Sequence, residues 1–252
     1  ELGVAVEGKE TNEVVRGLAD VLLEDYGSRK NALAFTSRAP KARRDVWTKA
    51  GITPRGIDRE NVEMLHRTHM GVDNEYVNIL LQALRASLAD GWGGSMIGTE
   101  LSDIMFGTPK PVMSTVNLGV LRTDQVNIAM HGHNPLLSDA IVEAAQDPAL
   151  IALARSLGAT GINVVGMCCT GNEMLMRRGI PMAGNYLMQE LAIVTGALEA
   201  MVVDYQCIMP SVVSVAKCYH TRIISTSAKA KFPGATHVSF APTKGTAVAR
   251  DI

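Results

Sequence analysis

The apolar positions change their period once along the chain, near residue 125. Before it they recur at helical spacing. Val14, Val15, Leu18, Val21 and Leu22 predict a helix over 10–26, with Gly27 as its stop. Residues 28–56 are mixed, with a short cationic helix expected from Ala42 to Ala50 and ended by Gly51 and Pro54. Asp58 is placed as the N-cap of a helix running to about Met70, with Val62, Leu65 and His69 on one face. The clearest helix covers 73–90, capped by Asp73 and striped by Val77, Leu80, Leu81, Leu84 and Leu88. Gly91-Trp92-Gly93-Gly94 reads as an interruption, followed by a shorter helix from about Ser95 to Met105 and a break over 107–111.

Beyond residue 125 short apolar runs alternate with helical ones. Strands are predicted at 126–130, 161–166, 199–203, 221–225 and 236–239. Helices are predicted at about 136–146, 148–157, 170–178, 186–196 and 210–217, and a last one from Pro242. Such alternation argues a parallel sheet with covering helices. The expected fold class is therefore α/β, with a helical part over 1–124 and a parallel-sheet domain over 125–252.

Ligands of such sheets gather at the carboxyl ends of the strands. Three strand ends here carry metal-capable side chains: His131 and His133, then Cys168 and Cys169, then Cys207. That is more than core packing requires. A cysteine at a strand end that opens a helix meets the positive end of the helix dipole, which favours the thiolate. Neighbouring side chains point in different directions, so one of Cys168 and Cys169 is expected to ligate while the other packs. Cys218 is expected to pack. His66 and His69, three apart on a helix, are read as core or interface residues, and His220 and His237 as isolated structural ones.

Composition narrows the partners. At 252 residues and 47% hydrophobic, the chain can bury a real core, and thirteen methionines fill volume that its few aromatics leave. A net charge of −1 gives no basic footprint for nucleic acid or for an acidic membrane surface. No apolar run approaches the roughly 18–20 residues of a membrane span. Four cysteines, two of them adjacent, do not form a disulfide framework, so a cytosolic, reducing setting is expected. The start, Glu1-Leu2-Gly3-Val4, is neither a signal peptide nor an initiator methionine, and reads as a processed or excised chain.

Thiolates and imidazole are the ligands of iron–sulfur clusters. Three protein donors, however, neither close a tetrahedral zinc site nor complete a four-iron cluster. The residues thus predict an incomplete metal site whose remaining ligands come from elsewhere. No Gly-x-Gly-x-x-Gly or Walker sequence supports a nucleotide site. A cysteine hydrolase built from Cys169, His133 and Glu173 can also be drawn on this fold.

At these residues the chain resembles the anaerobic nickel–iron carbon monoxide dehydrogenases. The likeness runs through His131-Gly132-His133-Asn134-Pro135, Gly166-Met167-Cys168-Cys169-Thr170-Gly171-Asn172-Glu173 and Asp204-Tyr205-Gln206-Cys207-Ile208-Met209-Pro210-Ser211. Upstream it includes His66-Arg67-Thr68-His69-Met70-Gly71-Val72-Asp73-Asn74 and Asp90-Gly91-Trp92-Gly93-Gly94-Ser95. The resemblance implies the tail of a helical domain followed by a Rossmann-like domain. It implies that His133, Cys169 and Cys207 are ligands of a nickel–iron–sulfur cluster, with His131 the lesser candidate. The implied reaction is reversible oxidation of CO with water to CO2, two protons and two electrons. A redox partner such as ferredoxin, a homodimer and an associated acetyl-CoA synthase are implied as well.

Two departures accompany the resemblance. The N-terminal cysteine motifs that hold the family's further 4Fe-4S clusters do not occur here, and neither do the downstream cluster cysteines or the lysine and histidine that assist proton movement. The chain is expected to supply about half of the cluster's protein ligands and to be inactive alone. A hybrid-cluster, hydroxylamine-reductase-like enzyme and a stand-alone α/β scaffold without activity are the alternatives.

Overall fold

A computed structural model describes residues 2–27 and 32–252, so the stretch 28–31 of the region read as mixed lies outside it. The chain separates into compact units, residues 1–108 and 109–252.

The first unit is helical: α1 Thr11–Tyr26, α2 Lys41–Lys49, α3 Ile57–Arg67, α4 Tyr76–Ala89 and α5 Met96–Phe106. Leu18 and Leu22 of α1 bury against Phe35 and Ile97, as the period predicts. Three expectations fail here. The Gly91-Trp92-Gly93-Gly94 stretch does not interrupt the helix; Asp90–Ser95 continues as a π-turn joining α4 to α5. Packing accounts for this, because Trp92 meets Trp47 edge-on at 5.7 Å and joins Leu81 and Leu88 on one cluster. The caps also differ. Gly56 and Glu75 occupy the N-cap positions of α3 and α4, while Asp73 accepts from the Arg67 side chain and the Glu75 N–H.

The third concerns the helix faces. Val62, Leu65 and His69 are exposed, as are His66 and much of the α4 stripe (Val77, Leu80, Leu84). What α3 and α4 bury together is polar: Glu60 and Gln82. The Glu60 carboxylate accepts from Arg55 Nε at 2.7 Å and Arg55 Nη2 at 3.0 Å, from the Arg55 N–H at 3.0 Å, and from Gln82 Nε2 at 2.9 Å. A buried carboxylate survives only with such pairing.

The second unit is the expected α/β fold. Its strands are β1 Val126–His131, β2 Ile162–Met167, β3 Met182–Gly184, β4 Ala200–Val203, β5 Arg222–Ser225 and β6 Thr236–His237. Its helices are α6 Pro135–Ala145, α7 Pro148–Ser156, α8 Cys168–Arg178, α9 Gln189–Val194, α10 Ser211–Ala216 and α11 Gly245–Asp251. All pairings are parallel and the order is β3-β2-β1-β4-β5-β6, the doubly wound Rossmann arrangement. The short strand β3 is absent from the sequence expectation, because three residues carry no readable period.

Alternation along each strand sorts the core. Ala129, Val165, Met201 and Val203 face α9 and α10, with Ile193 and Val212. Met130, Val164, Val202 and Ile224 face α6, α8 and α11, with Leu137, Ile141 and Met174. Both faces are covered, which is why the strands read as continuous apolar runs. At the carboxyl end of β2, Gly166 and Gly171 bring strand and helix together; a Cβ on Gly171 would lie 2.7 Å from the Gly166 carbonyl carbon.

Candidate metal centre

The strands bearing the predicted donors are neighbours, with β1 between β2 and β4. Their ends are level, since His131 is in register with Met167 on one side and Val203 on the other. The residues that follow leave the same sheet edge. The strand order reverses between β1 and β4, the place where doubly wound sheets bind their ligands.

Asp204 organises that reversal. Its carboxylate, 4% exposed, accepts the N–H of His133 at 2.7 Å (Oδ1) and 2.8 Å (Oδ2), and also those of Asn134 and Tyr205. Burial pushes its carboxyl up and these N–H groups pull it back in part. Gly132 fits only as glycine. Its φ is +129° and a Cβ would lie 1.7 Å from Asp204 Oδ1. The Gly132 carbonyl in turn accepts the Thr170 N–H at 2.9 Å, tying the β1 turn to the start of α8.

The two histidines differ in kind. His133 is half-buried and stacks on the Tyr205 ring with centroids 6.2 Å apart. Its Nδ1–H donates to the Tyr205 carbonyl at 3.1 Å, which leaves Nε2 with its lone pair. Fixing one ring nitrogen on a carbonyl is how proteins orient an imidazole for a metal. His131 is buried, its Nε2–H donates to the Cys207 carbonyl at 3.0 Å, and its Nδ1 faces no partner. Burial lowers its pKa, and the bonds to the Cys207 carbonyl and the Gln189 side chain pull it back in part.

The thiols also separate. Cys168 is buried and its φ is +58°, so the turn into α8 directs its side chain inward. Burial, with Cys207 and Cys169 beside it, pushes its thiol up to about 12. Cys169, next in the helix, is exposed. Its pKa is raised by burial first, then by Cys207 and Asp204. Cys207 is exposed and sits in a turn where Gln206 and Cys207 both have positive φ, +61° and +54°. Left-handed conformations are rare in residues other than glycine, and they cluster at functional sites.

Among the described residues no three His, Cys, Asp or Glu side chains converge closely enough to hold one metal ion. The donor chemistry instead fits a sulfur-ligated cluster, which meets its protein donors at separate metal atoms. Cys207 and Asp204 beside Cys169, and Cys207 and Cys169 beside Cys168, oppose ionisation of those two thiols, an arrangement that a bound cationic centre would relieve.

Elsewhere the structure amends the reading. Cys218 is exposed beyond α10, not packed. His220 and His237 are not isolated: His220 meets Glu199 at 3.3 Å, and His237 bridges Ser225 and Ser239. Asp204 and Gln189 escaped the sequence reading. An acid directly after a buried strand could have flagged Asp204; nothing local flags Gln189.

Comparison with known proteins places these features in context. A family model described as the Prismane/CO dehydrogenase family matches residues 1–252. Carbon monoxide dehydrogenase 1 of Methanosarcina mazei is 57% identical over 252 residues, all of this chain and 40% of the relative. Carbon monoxide dehydrogenase 2 of Carboxydothermus hydrogenoformans is 48% identical over 241 residues, 95% of this chain and 37% of the relative. Nickel-free carbon monoxide dehydrogenase from Thermococcus sp. AM4, produced without the CooC maturase, superposes with a TM-score of 0.94 at 55% identity, over 99% of this chain and 40% of that one. An acetyl-CoA synthase/carbon monoxide dehydrogenase structure with NiZn[Fe4S4] and NiNi[Fe4S4] clusters in its alpha subunits gives 0.91 at 45% identity, over 99% of this chain and 37% of that one. The chain spans about two fifths of the length of these relatives.

Proposed function

The chain belongs to the Prismane/CO dehydrogenase family, and from that membership we propose that it is the central segment of an anaerobic, nickel-dependent carbon monoxide dehydrogenase. The reaction assigned to the whole protein is CO + H2O to CO2 + 2 H+ + 2 e−, in either direction. His133, Cys169 and Cys207 are assigned as this chain's ligands to a nickel–iron–sulfur cluster. The observation that carries the assignment is the Nδ1–H bond from His133 to the Tyr205 carbonyl, which presents Nε2 as a donor. When bound, the cluster supplies Lewis-acid activation of both substrates and takes up the electron pair.

The chain's own residues hold and orient that group. Asp204 fixes the backbone on which His133 rides. Cys169 offers its thiol from the first turn of α8; burial, Cys207 and Asp204 raise its pKa there over the opposing helix dipole, so the thiolate has to be drawn out by a bound metal. Cys168 packs behind it. The remaining ligands, the further 4Fe-4S clusters and the proton-moving groups are assigned to other parts of the protein, so the isolated chain is inactive. A ferredoxin-type electron acceptor, a homodimeric and cytoplasmic enzyme and an associated acetyl-CoA synthase complete the proposal. A Moorella thermoacetica relative, 48% identical, is named as a carbon monoxide dehydrogenase/acetyl-CoA synthase subunit. Among the described residues no helix is long and apolar enough to cross a membrane.

The test compares Cys207→Ala with Cys218→Ala in the full-length protein, purified without oxygen. The first should lose iron and nickel and the second should keep them; equal metal contents would refute the ligand assignment. CO-dependent dye reduction by the isolated chain, after reconstitution with iron, sulfide and nickel, would refute its inactivity.

A further inference from the structure

Gln189, at the start of α9, is fully buried, and its side chain bonds to four partners. Nε2 donates to the Tyr186 carbonyl at 2.6 Å and to the Cys207 carbonyl at 3.1 Å. Oε1 accepts the Met209 N–H at 2.9 Å and meets the His131 Nε2–H at 3.3 Å. The His131 Nε2–H donates to the same Cys207 carbonyl at 3.0 Å. Two polar side chains are thus buried beside an apolar core to grip the backbone of residues 207–209.

Burying such groups is unfavourable unless they bond. Here the bonds go to a stretch that needs them. Consecutive positive-φ residues at Gln206 and Cys207 persist only where their surroundings over-determine the backbone. We propose that Gln189 and His131 form a backbone clamp that presents the Cys207 thiol, making both positioning residues for it. The proposal rests on Cys207 being a cluster ligand and extends it: the turn is set before any metal arrives. It also accounts for His131, a histidine at the metal edge whose ring nitrogens do not face outward. Neither clamp side chain bonds to Cys169; the start of α8 is held by the bond from Thr170 N–H to the Gly132 carbonyl.

This separation supplies the test. The full-length protein is stripped of metal, and Cys207 and Cys169 are alkylated side by side and followed by peptide mass spectrometry. Gln189→Leu keeps the volume and removes all four of these contacts. It should change the Cys207 to Cys169 rate ratio by about 5–30-fold, the effect of losing one or two hydrogen bonds' worth of stabilisation. General loosening would speed both cysteines and leave the ratio near its starting value. Iron and nickel contents of the purified variant should fall as well. If Gln189→Leu does not fold, His131→Gln carries the same readouts. A wild-type ratio in whichever variant folds overturns the clamp. Cys207→Ala, run in parallel, isolates the underlying reading: unchanged metal there rejects Cys207 as a ligand, while the alkylation ratio still judges the clamp.

Discussion

Asp204→Asn is the sharpest probe of how the site is built. The native carboxylate satisfies three backbone N–H groups, from His133, Asn134 and Tyr205, using both oxygens. The amide has one acceptor oxygen, and its NH2 must face an N–H group. At least one charge-assisted bond is lost, about 1.5–3 kcal/mol, and one buried donor is left unpaired, about 1–3 kcal/mol. The sum, about 2.5–6 kcal/mol, is a large part of a typical domain's stability. In a domain of this size it should lower Tm by roughly 5–24 °C. The damage lies where the backbone carries His133, so iron content should fall with it. Anaerobic calorimetry and metal analysis on the full-length protein measure both. Wild-type Tm together with wild-type iron content would refute the view that Asp204 holds this turn.

Two other perturbations follow from packing and charge. Gly171→Ala places a Cβ 2.7 Å from backbone of Gly166, and should cost at least about 1–3 kcal/mol in thermal unfolding; an unchanged Tm would mean the strand–helix approach is looser than drawn. For Glu60, burial raises the pKa, but hydrogen bonds from the Arg55 side chain and backbone and from Gln82 outweigh it and leave the pKa below 4.5. A lowered carboxylate stabilises the fold above its unfolded value, and that contribution drains as pH falls through the folded one. Glu60→Gln should therefore cost about 3–5 kcal/mol near neutrality, and its urea stability should flatten on the acid side; acid limbs running parallel in both proteins would refute the pairing.

The apolar period of the chain carries the architecture. A helical spacing before residue 125 and alternating short runs after it depend on which residues bury, and in α1 and the sheet strands burial follows local periodicity. The strand ends follow from the same pattern, so the edge bearing His133, Cys169 and Cys207 is legible as well. Legibility stops where partners come from distant residues. Gly91-Trp92-Gly93-Gly94 looks like a break, yet Trp47, 45 positions upstream of Trp92, lets the helix run through it. The stripes of α3 and α4 look like core faces, yet these helices meet over Glu60 and Gln82. Cys168 and Cys169 are adjacent and chemically alike; a single positive φ turns one thiol inward and leaves the other outward. His131 and His133 are separated only by which carbonyl each ring nitrogen reaches, Cys207 or Tyr205, and both lie more than 70 residues away. Local spacing selects the elements, while the direction of each donor is fixed by hydrogen bonds that form only once β1, β2 and β4 lie side by side.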